Sequence, residues 1–127
     1  MGVGGMMWNY KNLEVWKRAH ELMKNVYKVI DAFPEKERYN AVFQIRKAVF
    51  SVPSNIVEGS GKDTNKDFAH YLDNAIGSLK EVEYQIFASW ELGYVGEEKY
   101  KELKKEMTIF GMKLRAYRRF IGGGEKK

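Results

Sequence analysis

The chain has 127 residues, 44% of them hydrophobic and 31% charged, with two prolines, no cysteine and a net charge of +5. That is one domain's length, enough to bury a core unaided, and without cysteine there are no disulfides, thiol nucleophiles or zinc–thiolate sites. No run approaches the ~18 consecutive apolar residues of a membrane span, and residues 1–7 lack the basic start of a signal peptide, so the expected location is the cytoplasm.

Residues 1–11 read as a flexible lead and 122–127 as a disordered tail. Between them, over 12–121, lie four segments of helical period. The first opens at Asn12, a potential N-cap, and places Leu13, Trp16, His20, Met23, Tyr27 and Ile30 at steps of three and four. It stops before Pro34, because the residue ahead of a proline avoids the α region. The second runs from Glu35 to Glu58 with Val42, Ile45, Val49, Val52 and Ile56 on one stripe, ended by Gly59, Ser60 and Gly61. The third begins after Asp63 or Thr64, where Thr64 and Asp67 form a capping pattern. Phe68, Leu72, Ala75, Leu79, Val82, Ile86 and Ser89 form its inner face, and Gly93 closes it. The fourth starts at Gly96-Glu97-Glu98, acids suited to the positive end of a helix. Leu103, Met107, Phe110, Leu114, Tyr117 and Ile121 follow as a heptad seam. With no strand pattern and short connections, the expected fold is all-α: an up-down-up-down antiparallel four-helix bundle.

Pro53 breaks the second segment in its middle, where it removes a backbone donor and should kink the rod. Bending around neighbouring helices is the expected reason, and a surface concavity the alternative. Around it Gln44, Ser51, Asn55 and Glu58 share one helical face, answered on the third segment by Ser78, Glu81 and Gln85. Buried polar groups need partners, so a register-fixing interhelical network is the expectation and a polar pocket the alternative.

The run Gln44-Ile45-Arg46-Lys47-Ala48-Val49, continuing Ser51-Val52-Pro53-Ser54-Asn55-Ile56-Val57-Glu58-Gly59, resembles the signature of one bacterial family. Ala75-Ile76-Gly77-Ser78-Leu79-Lys80-Glu81, the opening Leu13-Glu14-Val15-Trp16 and the turn Phe33-Pro34-Glu35-Lys36-Glu37 resemble it too. The family is the small four-helix-bundle proteins encoded in intervening sequences of 23S ribosomal RNA genes. The resemblance implies a ring-forming homo-oligomer, a homopentamer, of unassigned role. By fold-level analogy it implies a likeness to the basic pentameric accessory protein of diversity-generating retroelements, which binds nucleic acid and a reverse transcriptase. The chain departs from the family pattern at Lys47, where Arg is frequent, and at Val57, where Ala is. Lys47 would meet a phosphate as a point charge, without the bidentate fork.

Catalysis by a nucleophile requires a base and an orienting group, and the pool of two histidines is thin. His20 reads as a packed imidazole. His70 follows Asp67 by three residues but lacks the second His motif and the glutamates of a di-metal bundle, so no metal and no cofactor is expected. Gly59-Ser60-Gly61-Lys62 lacks the strand, spacing and Ser/Thr of a phosphate loop. Glu58 and Glu81 could pair as acid and base across helices, but no substrate pocket accompanies them, and no enzyme activity is expected. The charge is uneven: residues 99–127 carry +7 and residues 1–98 carry −2. Lys101, Lys104, Lys105, Lys113, Arg115, Arg118 and Arg119 load the fourth helix, with Tyr117 as a stacking ring, and point to an RNA or DNA backbone. Of these, Lys104, Arg115, Arg118 and Arg119 fall off the seam and should face outward. A solvated helix face is the plainer explanation, and a protein–protein scaffold without nucleic acid the alternative role. Phe43, Phe50 and Val57, a second apolar seam at heptad steps, are the candidate surface for self-association.

Overall fold

The computed structural model describes residues 9–122; most of the expected lead and tail lies outside the described residues. Among the described residues there are four α-helices and no strand. Helix α1 spans Glu14–Ile30, α2 Ala41–Ser60, α3 Asn65–Glu91 and α4 Glu97–Ile121. A 3-10 turn, Tyr10–Asn12, precedes α1 and overlaps the stretch read as lead. Asn9 caps the turn, accepting from the Lys11 N–H at 3.0 Å, and the N-cap of α1 is Leu13, without a side-chain hydrogen bond, rather than Asn12.

The inner face of α1 is one residue away from the expected stripe. Val15, Ala19, Leu22, Val26 and Ile30 are buried, while Trp16, His20, Met23 and Tyr27 are half-buried on the flank. Helix α2 begins six residues later than expected. Glu35–Glu37 form a separate 3-10 turn, and Asn40 leaves helical geometry (φ −119°, ψ −98°) before the chain re-enters at Ala41. There the Glu37 carboxylate does two jobs. One oxygen accepts from the Ala41 N–H at 3.3 Å, the other from the Tyr94 hydroxyl at 2.8 Å, tying the start of α2 to the α3–α4 turn.

The stripe Val42, Ile45, Val49, Val52 and Ile56 is buried as expected, and α2 runs unbroken through the buried Pro53 to Ser60. Gly59 therefore does not end the helix. It is the point where α2 presses on α3: a Cβ there would lie 2.7 Å from Tyr71 Cβ and 2.8 Å from Phe68 Cδ1. On α3 all seven expected inner residues are buried, and Thr64 Oγ1 accepts from the Asp67 N–H at 3.1 Å, the cap read from the sequence. Gly93, at φ +85°, makes the turn into α4, a backbone geometry that L side chains resist. On α4, Leu103, Met107, Phe110, Leu114 and Ile121 are buried and Tyr117 half-buried.

Packing runs α1 to α2, α2 to α3, α3 to α4, and α4 back to α1. Ser51 meets Ser78 while Gly59 meets Phe68 and Tyr71, so α2 and α3 are antiparallel. Trp90 stacks on Tyr100 while Arg118 reaches Asp73, so α3 and α4 are too. Among the described residues, twenty-six buried apolar side chains from all four helices and their connections form one continuous core. Each helix thereby keeps an outward strip, and those strips hold the residues of functional interest.

Candidate functional site

Helix α4 carries the basic candidates, and the structure sorts them. Lys104, Lys105, Lys113 and Arg119 are exposed and make no ion pair among the described residues. Arg115 is exposed and only folds back towards the Gly111 carbonyl at 3.5 Å. Lys101 stands 3.8 Å from Glu97, a solvent-exposed pair of little energetic consequence.

Arg118 is different and corrects the expectation that it faces outward. Its Nε and Nη2 donate to the two carboxylate oxygens of Asp73 at 2.8 and 3.0 Å, with only 19% of its side chain exposed. This bidentate clamp joins α3 to α4 and holds the guanidinium pKa above its usual value, mainly through the hydrogen bonds to Asp73. Tyr117 is likewise not a free stacking ring. It sits edge-on to the buried Phe68 at 6.0 Å, and burial raises the pKa of its phenol. Phe120, 76% exposed one helical turn on, is the available ring.

Helical geometry of about 100° per residue divides the outward face of α4 into two strips. Lys101, Lys104, Arg115 and Arg119 form a basic strip on the side of α3. Glu83 of α3 shares a small cleft with Lys104, but that carboxylate already pairs with Lys80 at 3.2 Å. Beside the basic strip run Ile109, Met112 and Phe120, all exposed, with Met112 at 66%. Lys105, four residues before Ile109, lies in line with the apolar strip, and Lys113 lies beyond it. The apolar strip escaped sequence reading because the buried heptad seam had already accounted for the helix's periodicity. Its signal was there in the three-, four- and four-residue steps from Ile109 through Met112 and Ala116 to Phe120.

The polar motif on α2 and α3 resolves into a small network and several solvated groups. Ser51 and Ser78 share a 2.6 Å hydroxyl–hydroxyl bond across the helices. Asn55 Nδ2 donates to the Ser51 carbonyl at 2.8 Å and to its hydroxyl at 3.1 Å. Gln85 donates to Glu81 at 3.4 Å within α3. Gln44, Glu58 and Glu81 are exposed, and the Arg46 guanidinium lies 5.3 Å above the Tyr27 ring. The cluster therefore links helices, and its Arg46 and Ser51 also border an open hollow.

The hollow nearby is on the other flank of α2, where Tyr27, Phe43, Arg46, Lys47, Phe50 and Ser51 line about 400 Å³ of open space. Pro53 is not one of its walls. Phe43 and Phe50 are 51% and 52% exposed there, and Val57 is half-buried. His20 stacks on Trp16 at 4.8 Å, and His70 is exposed beside Tyr71. Among the described residues no three acidic or histidine side chains converge as metal ligands, and no helix is long and apolar enough to cross a membrane.

A solved structure of similar fold is a protein of unknown function from the S23 ribosomal protein family of Bacteroides thetaiotaomicron. It superposes with a TM-score of 0.72 at 22% identity, covering 83% of this chain and 98% of that one. No curated protein matches the sequence. The family of 23S rRNA-intervening sequence proteins matches residues 11–116. The chain belongs to that family.

Proposed function

We propose that the protein is a non-enzymatic, self-associating bundle that engages the phosphate backbone of RNA or DNA through α4. The observation that carries this reading is the run of exposed basic side chains free of ion pairs. From Lys104 to Arg119 it extends over about 22 Å of helix at 1.5 Å per residue, long enough to follow several phosphates of one strand. Point contacts of this kind give affinity with little base readout.

Assembly into a closed ring, with five copies as the expected number, would repeat the strip around the particle and convert weak contacts into avidity. Support for self-association comes from the exposed Phe43 and Phe50 on α2, beside the half-buried Tyr27 of α1. Surplus aromatic surface of this kind is characteristic of subunit contacts. That aromatic surface equally favours the second reading, a protein–protein scaffold with no nucleic-acid contact.

Light scattering of the purified chain, with and without labelled RNA and DNA duplexes over a salt series, separates the two. A multi-subunit particle whose affinity falls steeply with salt supports the nucleic-acid role. A particle indifferent to both polymers supports the scaffold, and a monomer at all concentrations removes the self-association on which both depend.

A further inference from the structure

A second site lies away from the basic strip, between the C-terminal half of α1 and the N-terminal half of α4. Asn25, Lys28, Val29 and Ala32 face Lys99, Glu102, Leu103 and Glu106 across a cleft of about 450 Å³ that Tyr94–Gly96 also line. That is the size range of small-ligand sites, and its lining mixes charged and polar groups with the apolar surface of Val29, Ala32, Val95 and Leu103. We propose that this cleft binds a small organic cation, a primary amine with a short apolar chain, whose ammonium group sits on the Glu106 carboxylate.

The state of Glu106 is the reason. Asn25 Nδ2 donates to both of its oxygens, at 3.1 and 3.2 Å, and so fixes the carboxylate's position. One amide nitrogen cannot satisfy four lone pairs, and no lysine or arginine forms an ion pair with Glu106 among the described residues. Burial, together with the like charge of Glu21 one turn before Asn25, works against its ionisation and outweighs the help from Asn25. A half-buried carboxylate without a counter-ion is relieved by a cation that arrives with its own apolar body.

The surroundings select among cations and anions. Lys99 and Glu102, both exposed, stand 3.0 Å apart, so together they add no net charge to the lining. Lys28 is the other positive group of the lining, beside the carboxylates of Glu102 and Glu106, while Glu21 is paired with Lys24 at 3.7 Å. A metal ion would need more oxygen ligands than converge here. Val29, Val95 and Leu103 offer an alkyl chain the contact that a bare ammonium ion would leave unused.

The test is a titration of the full chain with n-pentylammonium, pentan-1-ol and valerate, followed by NMR through the Asn25 side-chain amide and the Tyr94 backbone amide. Saturable shifts with pentylammonium alone are expected, and Glu106→Gln should weaken them by about tenfold or more, the loss of one charged contact. Equal response to pentan-1-ol would reduce the cleft to a greasy surface, and preference for valerate would reverse its polarity; either overturns the proposal. So does a Glu106→Gln variant that binds as well as the parent. The three-probe comparison needs no variant, so it decides even if the substitution unsettles the fold. It is also independent of nucleic-acid binding, since α4's basic strip does not line the cleft.

Discussion

Arg118 and Arg119 are adjacent in sequence and opposite in task. Arg118 is half-buried and clamped to Asp73, whereas Arg119 reaches solvent without an ion pair. Arg118→Ala should lower stability by about 1–2 kcal/mol, the worth of a partly shielded charged hydrogen-bond pair, while leaving the salt slope of nucleic-acid binding unchanged. Arg119→Ala should leave urea unfolding within about 0.5 kcal/mol of the parent and reduce the salt slope by about one. If the two variants exchange these behaviours, the assignment of the strip is wrong. Glu106 makes a third case at this scale. Its folded-state pKa is raised, so its share of stability is fully present below about pH 4.3, the unfolded glutamate value. That share is lost as pH rises through the higher folded value. Glu106→Gln, which cannot ionise, should therefore flatten the pH dependence of thermal unfolding above pH 4.3 and gain on the parent as pH approaches neutrality. A parent profile that rises over that window relative to the variant would contradict the assigned direction.

At the scale of the helix, two helical glycines, Gly59 and Gly77, separate packing from propensity. A Cβ at Gly59 would overlap Tyr71 Cβ and Phe68, and Tyr71 Cβ cannot swing away without its backbone. Gly59→Ala should destabilise by about 1–3 kcal/mol through overpacking. Gly77 lies in the middle of α3 with nothing within 4 Å of an added Cβ, so Gly77→Ala should stabilise by about 0.5–1 kcal/mol. Chemical unfolding of both variants checks the pair, and the opposite signs are the content of the prediction. The same distinction explains what was legible in the sequence. The stripes of α2 and α3, and most of the α4 seam, were readable because each helix has one run of buried residues at helical spacing. Helix α1 misled because its bulkiest side chains, Trp16, Met23 and Tyr27, are flanking, while the buried face is made by Val15, Ala19, Leu22 and Val26. Residue size suggested one face, and the core took the smaller side chains one position away. Gly59 misled for a related reason: glycine signals a stop by its backbone freedom, but here it serves by having no side chain. The exposed basic strip was legible from charge spacing. The diversion of Arg118 was not, because its partner Asp73 lies on another helix, 45 positions away, and only the fold brings the two together.

For the whole molecule the decisive geometry is the number of distinct sticky surfaces. A ring built from a single repeated contact needs two different patches on each copy, whereas a twofold dimer needs one patch that meets itself. Among the described residues, the aromatic strip of Phe43 and Phe50 on α2 and the apolar strip of Ile109, Met112 and Phe120 on α4 are two such surfaces, and Tyr84 and Phe87 on α3 form a further exposed pair. If the α2 and α4 strips are the two halves of one repeated contact, Phe50→Asp and Met112→Asp should each dissolve the assembly to monomers. Both side chains are largely solvent-facing, so neither change should unfold the bundle. Mixing the two variants then restores a single kind of contact, between the intact α4 strip of the first and the intact α2 strip of the second. The mixture should give a particle of about twice the 14.8 kDa of one chain and nothing larger, because the outer surfaces of that pair are both defective. Light scattering reads this directly. A self-meeting α2 patch would instead let Met112→Asp assemble like the parent and leave the mixture no heavier than its components. The broken rings also test the role of avidity: with the basic strips intact but separated, nucleic-acid affinity should fall while each chain's own salt dependence persists.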